Sequence, residues 1–135
     1  MTNRHDPVSS VEFAAFRELH HPRYLSYARV WFRDVAQATA VVEEAFGALA
    51  AAWPELLGSP NPTADAWRIL RATVAERGDP ARVPPQRPTA TPDEDLAILH
   101  YVVGLATPEI ADVVGTDTAN VASQLRHALR EAADW

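Results

Sequence analysis

Apolar side chains recur at three- and four-residue steps through most of this chain, the spacing of one face of an α-helix. The clearest run follows Asp34, a residue type that commonly caps a helix start, and it ends at Trp53-Pro54. Its predicted buried face consists of Val35, Ala38, Val42, Ala45, Phe46, Leu49 and Trp53. No segment alternates apolar and polar residues long enough to predict a sheet, so we expect an all-α fold.

Shorter periodic runs flank this long helix. Before it, Ser9 and Glu12 have capping-box spacing and predict a helix start at Ser10 or Val11. The dipeptide His21-Pro22 predicts a break and a restart, because proline suits a first helical turn.

After the long helix, Thr63 is the predicted cap of a third helical run, which Gly78 ends. The inward face of this run is expected to carry Trp67, Leu70 and Val74. We expect Trp67 to be a core residue rather than one that stacks on a base, because it lies on that apolar stripe.

Five prolines occur in the fifteen residues 78–92, a density that excludes regular helix interiors and favours an extended tether. The sequence therefore predicts two small helical lobes, residues 1–77 and 92–135, joined by a proline-rich linker, 78–91.

The second lobe has the layout of a three-helix unit that contains a helix-turn-helix. One helix start is predicted at Thr91-Pro92 and another at Thr107-Pro108. Gly115 then supplies the left-handed turn residue before the last helix, which begins near Thr118. The same layout also serves as a packing motif, so DNA contact and simple packing both remain open at this point.

The amino-acid composition argues against several classes of protein function for this chain. The chain has 135 residues, 47% of them hydrophobic and 22% charged, without cysteine and without a run of about 18 apolar residues. We expect a cytoplasmic protein with no membrane association, because its first ten residues are polar. The adjacent His20 and His21 point to different helix faces, and no catalytic motif is present, so we expect neither a metal or other cofactor nor an enzyme.

Charge is divided unevenly between the predicted lobes. Residues 1–91 carry ten arginines and ten acids, whereas residues 92–135 carry two arginines and eight acids, a net charge of −6. Because arginine and lysine supply most non-specific affinity for phosphates, the second lobe is expected to bind DNA weakly alone.

Several segments carry a resemblance to a known family. The stretch "GLATPEIADVVGTDTANVASQLRHALR" is similar to the helix-turn-helix of bacterial extracytoplasmic-function sigma factors. "FRELHHPRYLSYARVWFRDVAQATAVVEEAF" resembles their opening helices, and "ADAWRILRATVAER" resembles their Ala-Trp-containing helix. The likeness covers roughly Val11 to Ala133, including the order of the segments and the proline-rich linker.

This resemblance implies a transcription initiation factor that binds core RNA polymerase and promoter DNA. It places polymerase contacts on the long helix, at Val42, Glu43, Glu44 and Phe46. It places DNA contacts on the last helix and on the third helical run, at Thr118, Asn120, Ser123, Gln124, Arg126, His127, Arg130, Arg68, Arg71 and Arg77. The three arginines of the third run also fit a merely solvated helix face.

The chain departs from the family pattern at Ala40, Glu43, Ala122 and Gln124, where the family usually has an acid, an amide and two basic residues. These departures support an alternative: a sigma-like interaction module that has lost promoter binding and binds a regulatory protein, such as an anti-sigma factor. The sequence leaves the promoter, the protein partner, the oligomeric state and the relative packing of the lobes open.

Overall fold

The computed structural model describes residues 7–78 and 92–133, and this part of the chain is helical with no β-strand. It contains six helices: α1 (Pro7–Trp31), α2 (Val35–Leu57), α3 (Pro62–Arg77), α4 (Pro92–Ala97, continued by a π-helical segment, Ile98–Val103), α5 (Thr107–Val114) and α6 (Thr118–Ala133). The expected all-α class is confirmed. The predicted linker beyond Gly78 lies outside the described residues, as does the predicted cap Thr91.

Helix α1 differs from the prediction at both of the expected boundaries. It begins at Pro7 rather than at Ser10 or Val11, and it continues through Pro22 without a break. Proline within a helix removes one backbone hydrogen bond. Packing of the neighbouring residues opposes that loss. His20, two residues before Pro22, and Tyr24, two residues after it, are both buried on one face of α1.

Helix α2 is the central helix of the core. Asp34 caps it as predicted, accepting a hydrogen bond from the Ala36 amide at 3.0 Å. The predicted end at Trp53-Pro54 is wrong, since the helix continues to Leu57 with Pro54 inside its last turns. The predicted apolar face is buried except for Val35, which is half exposed at the helix start.

The predicted N-terminal cap of α3, Thr63, is wrong. Asn61, and not Thr63, caps the helix, because its Oδ1 accepts the Ala64 amide at 3.1 Å. Trp67 is buried as expected, together with Leu70 and Val74. Gly78 ends the helix as predicted.

The C-terminal helices pack directly on the N-terminal ones. Helix α5 contacts α3, and the π-helical end of α4 contacts α1. Buried residues of both parts belong to one hydrophobic cluster, which extends from Tyr24 in α1 to Leu125 in α6. The two parts of the chain therefore share a core.

Helix α2 is also the one described helix with the length and hydropathy of a membrane span. Eight of its residues are buried in the protein core, among them Val42, Phe46 and Leu49. Core helices of soluble proteins have this property too, so length and hydropathy alone are weak evidence for a span.

Candidate nucleic-acid interface

The turn between α5 and α6 is defined by local hydrogen bonds. Glu109 Oε1 accepts the Ala106 amide at 2.8 Å and so fixes the start of α5. Gly115 ends α5 with φ at 82°, in the left-handed region that glycine adopts without strain. Asp117 Oδ1 then accepts the Asn120 amide at 2.7 Å, which caps the first turn of α6. Each end of this connection thus has a capping interaction encoded by nearby residues.

Helix α6 buries its apolar side and exposes its polar side. Val121 and Leu125 are buried in the core, and α6 packs on α4 and α5. Gln124 lies at the edge of the packed face and is partly buried. The other residues that the sequence predicts for DNA contact on this helix are all exposed: Thr118, Asn120, Ser123, Arg126, His127 and Arg130.

The three arginines predicted on α3 all have acidic partners. Arg68 pairs with Asp65 one turn earlier in the helix. Arg77, at the end of α3, donates from Nε to Glu44 of α2 at 2.8 Å. The carboxylate of Glu44 raises the pKa of Arg77 through this hydrogen bond.

Arg71, the third arginine, pairs with a buried carboxylate. Its Nε contacts Asp95 of α4, which is 1% exposed. The other carboxylate oxygen of Asp95 accepts a 2.6 Å hydrogen bond from the hydroxyl of Tyr27. Burial raises the pKa of Asp95 to about 6, against the opposing effects of Tyr27 and Arg71.

Sequence reasoning missed Asp95, because the acids after Pro92 fit an ordinary helix start. A signal was present in the spacing: Asp95 lies four residues before Leu99, so the two share one helix face. An acid on a buried stripe needs a partner, and the structure provides two.

Four of the ten predicted DNA-contact residues line one cleft. It lies between α3 and α6 and has a volume of about 260 Å³. Arg68 and Arg71 lie on the α3 side, and Asn120 and Gln124 lie on the α6 side. The other six do not line it: Arg77, Thr118, Ser123, Arg126, His127 and Arg130. The structure thus brings the predicted DNA-contact residues of α3 and those of α6 together only along this cleft.

The residues predicted to bind polymerase divide into two groups. Val42 is fully buried and Phe46 is 2% exposed, so neither side chain can form a contact on the surface. Both side chains face the core, where Phe46 stacks on Tyr24 with ring centroids 5.4 Å apart, and their assignment to polymerase binding stays a prediction. Only Glu43 and Glu44 of the predicted set lie on the surface.

Both surface glutamates are paired within the chain. Glu43 accepts hydrogen bonds from Arg17 at 2.8 and 2.9 Å, and His21 lies 3.0 Å from the same carboxylate. The hydrogen bond from Arg17 lowers the pKa of Glu43. Glu44 is held by Arg77, as described above. A protein partner that binds this face must compete with these pairs or bind around them.

The exposed side of α6 carries amide, hydroxyl and guanidinium groups. Hydrogen-bonding amides, a hydroxyl and arginines on one helix suit contacts to base edges and phosphates. Among the described residues, no group of three or more histidines or acids has the arrangement of a metal site. No protein-family model matches the chain, and the search of curated proteins finds no significant match.

Proposed function

We propose that this chain is a cytoplasmic, sigma-factor-like regulator of transcription initiation that binds core RNA polymerase and promoter DNA. The observation that carries the proposal is the unit formed by α5, the Gly115 turn and α6. In it, a short helix and a left-handed glycine position a second helix whose polar side is exposed. This arrangement supports the assignment of the unit as a helix-turn-helix, in which the second helix would enter the major groove.

The side chains on α6 support a role for that helix in recognising DNA bases. Asn120 and Gln124 have the amides that suit adenine, and Arg126 and Arg130 have the charge that suits phosphates. With only these two arginines, the affinity of α6 for DNA alone is expected to be low. Core polymerase would supply the remaining affinity, because two linked binding surfaces raise each other's effective concentration.

Polymerase contact is assigned to the surface of α2 that bears Glu43 and Glu44. Both residues are exposed; Glu44 lies on the side of α2 opposite Val42 and Phe46, whereas Glu43 lies nearer to Phe46, where Arg17 and His21 of α1 contact it. The altered residue type at Glu43 changes the chemistry of this contact relative to the usual family pattern, so the proposal treats the chain as an atypical member of the sigma-like class.

A second candidate function is a sigma-like module that has lost promoter binding and binds a regulatory protein. One observation favours it: Arg68, Arg71 and Arg77 are all paired with acids of this same chain. Arginines that are already paired release fewer counterions from DNA when they bind it.

Reversal of the departures in α6 separates the two candidates. Binding of a labelled mixed-sequence duplex is measured by anisotropy between about 50 and 200 mM salt. If the wild type already binds with a steep salt dependence, the second candidate fails. If the wild type does not bind and Ala122→Lys with Gln124→Arg creates binding, the second candidate holds.

A further inference from the structure

Helices α1 and α2 meet at a charged group of side chains next to the proposed polymerase-binding surface. Arg17 of α1 donates from Nη2 to both carboxylate oxygens of Glu43 of α2, at 2.9 and 2.8 Å. His21, one turn after Arg17, has its Nε2 3.0 Å from the same carboxylate. All three side chains are partly exposed. We call Arg17, His21 and Glu43 the α1–α2 cluster.

The α1–α2 cluster packs against the buried ring of Phe46. The guanidinium carbon of Arg17 lies 5.0 Å from the centre of this ring, within the range of a cation–π contact. The ring of His21 stacks on the same side chain, with ring centroids 5.7 Å apart. Arg17 is therefore held at two points, by the carboxylate of Glu43 and by an aromatic ring.

Arg17 keeps hydrogen-bonding capacity after these contacts. A guanidinium has five N–H donors, and Glu43 engages only Nη2. Within residues 7–78 and 92–133, Nε and Nη1 of Arg17 make no hydrogen bond, and 38% of the side chain is exposed. A side chain that is already held in one position loses little conformational entropy when a partner binds. Arg17 thus has the properties of a preorganised donor.

Glu43 has less capacity left for a partner. Both of its oxygens accept a hydrogen bond from Arg17, and this bond lowers the pKa of its carboxyl group. A carboxylate can hold a guanidinium through two oxygens, whereas a glutamine at this position would offer only one. The residue type at position 43 is therefore well suited to fixing the position of Arg17.

A recess beside the α1–α2 cluster gives a partner side chain access to Arg17. It has a volume of about 380 Å³ and is lined by Ala14, Arg17, Glu18, His21 and Pro22. Its walls include one positive and one negative side chain, Arg17 and Glu18. A hydrogen-bond acceptor that enters the recess thus meets a charged donor without an excess of repelling charge.

We propose that Arg17 contacts core RNA polymerase directly and that Glu43 acts as the residue that positions Arg17. The interaction surface then includes α1 as well as α2, and the group of the partner that meets Arg17 is a hydrogen-bond acceptor. Arginine is among the residue types that most often dominate the binding energy of protein interfaces. The inference rests on the proposed binding of this surface to polymerase.

A double-mutant cycle separates direct contact from positioning. The affinity of the full-length chain, fluorescently labelled at its N-terminus, for purified core RNA polymerase is measured by anisotropy. The variants are Arg17→Ala, Glu43→Ala, the double variant, and Glu43→Gln, which keeps one acceptor oxygen for Arg17.

The matched control is Arg29→Ala, which removes an exposed arginine about 18 Å further along α1. Circular dichroism checks that each variant is folded. Arg17→Gln keeps part of the apolar stem over Phe46 and replaces Arg17→Ala in the cycle if that variant does not fold.

We expect Arg17→Ala to weaken polymerase binding about tenfold relative to the wild type and to Arg29→Ala. Glu43→Ala should weaken binding less, because Arg17 is still present but is no longer held. Glu43→Gln should weaken it less than Glu43→Ala. Arg17→Ala should weaken binding further when it is added to Glu43→Ala.

The direct contact is overturned if Arg17→Ala binds as well as Arg29→Ala. It is also overturned if Arg17→Ala has no effect in the Glu43→Ala background, because Arg17 would then act only through Glu43. Binding of Glu43→Gln as weak as that of Glu43→Ala would overturn the positioning role and assign the contact to the charge of Glu43. If the wild type does not bind core polymerase at about 50 μM, the proposed function itself fails, and the inference fails with it.

Discussion

The hydroxyl of Tyr27 donates a 2.6 Å hydrogen bond to the buried carboxylate of Asp95, 68 residues later in the chain. This contact joins α1 to α4 inside the shared core, because Tyr27 and Asp95 are each 1% exposed. It places the two parts of the chain in a defined relation that no local sequence pattern indicates.

Tyr27→Phe should therefore destabilise the protein. The change removes one hydrogen bond to a buried, charged acceptor and leaves the ring packing largely intact, so we expect a loss of about 1.5–3 kcal/mol in the free energy of unfolding. Chemical denaturation monitored by circular dichroism measures it. Tyr101→Phe is the control, because Tyr101 is 57% exposed. An equal effect at the two sites would refute the role of the buried contact.

The pH dependence of stability has two opposing contributions. Burial, with help from the charge of Arg23, lowers the pKa of His20 to about 4, from 6.5. The unfolded chain then binds more protons than the fold between pH 4 and 6.5, so this contribution to stability is lost as the pH falls through that range. His20→Phe should remove this loss, which we expect to see as a smaller decrease in the free energy of unfolding from pH 7 to 4.5.

Asp95 acts in the opposite direction. Its pKa is raised from 3.8 to about 6, so the fold binds more protons than the unfolded chain between those values. Its contribution to stability is therefore greatest below pH 4 and is lost as the pH rises towards 6. Asp95→Asn should remove this dependence, and urea titrations from pH 4 to 7 would show a steeper gain in stability with pH than the wild type has. A profile parallel to the wild type would contradict the assignment.

The electrostatic contacts of α6 should appear in the salt dependence of DNA binding. We expect Arg126→Ala and Arg130→Ala each to reduce the slope of log K against log salt by about 0.9, because each removes one phosphate contact. Arg33→Ala, an exposed arginine between α1 and α2, is the control. A change of slope at Arg33 equal to that at Arg126 would assign the binding to general surface charge.

The helix faces could be predicted from the sequence because packing repeats every three to four residues along α2 and α3. The endpoints were less predictable: Pro22 and Pro54 both lie inside helices, where burial on each side opposes the loss of one backbone bond. Asn61 was missed because Thr63 is also a good cap, and the choice depends on a contact to Gly115, which is distant in sequence.

The candidate site was predictable in part, for a similar reason. Local patterns place the polar residues of α6 on one helix, whereas ion pairs such as Arg71 with Asp95 depend on tertiary packing. The residues predicted to bind polymerase illustrate the limit of predicting a site from sequence resemblance. Val42 and Phe46 belong to the apolar stripe that the sequence itself indicates, and resemblance to a binding motif does not move them to the surface.

Variants at the α2 surface should affect binding far more than folding. Glu43 and Glu44 are 46% and 41% exposed, so solvent screens their ion pairs and the loss of these pairs should change stability little. Glu43→Ala and Glu44→Ala are therefore suitable reagents for a binding test, after thermal denaturation has checked that both are folded.

Binding to core RNA polymerase tests the central claim most directly. The labelled full-length chain is titrated with purified core enzyme, with an ordinary sigma factor as competitor and with Glu43→Ala and Glu44→Ala in parallel. The account predicts a Kd below about 1 μM, displacement by the competitor and weaker binding of the glutamate variants. No binding at about 50 μM would contradict it and would direct attention to a regulatory protein as the partner of these helices.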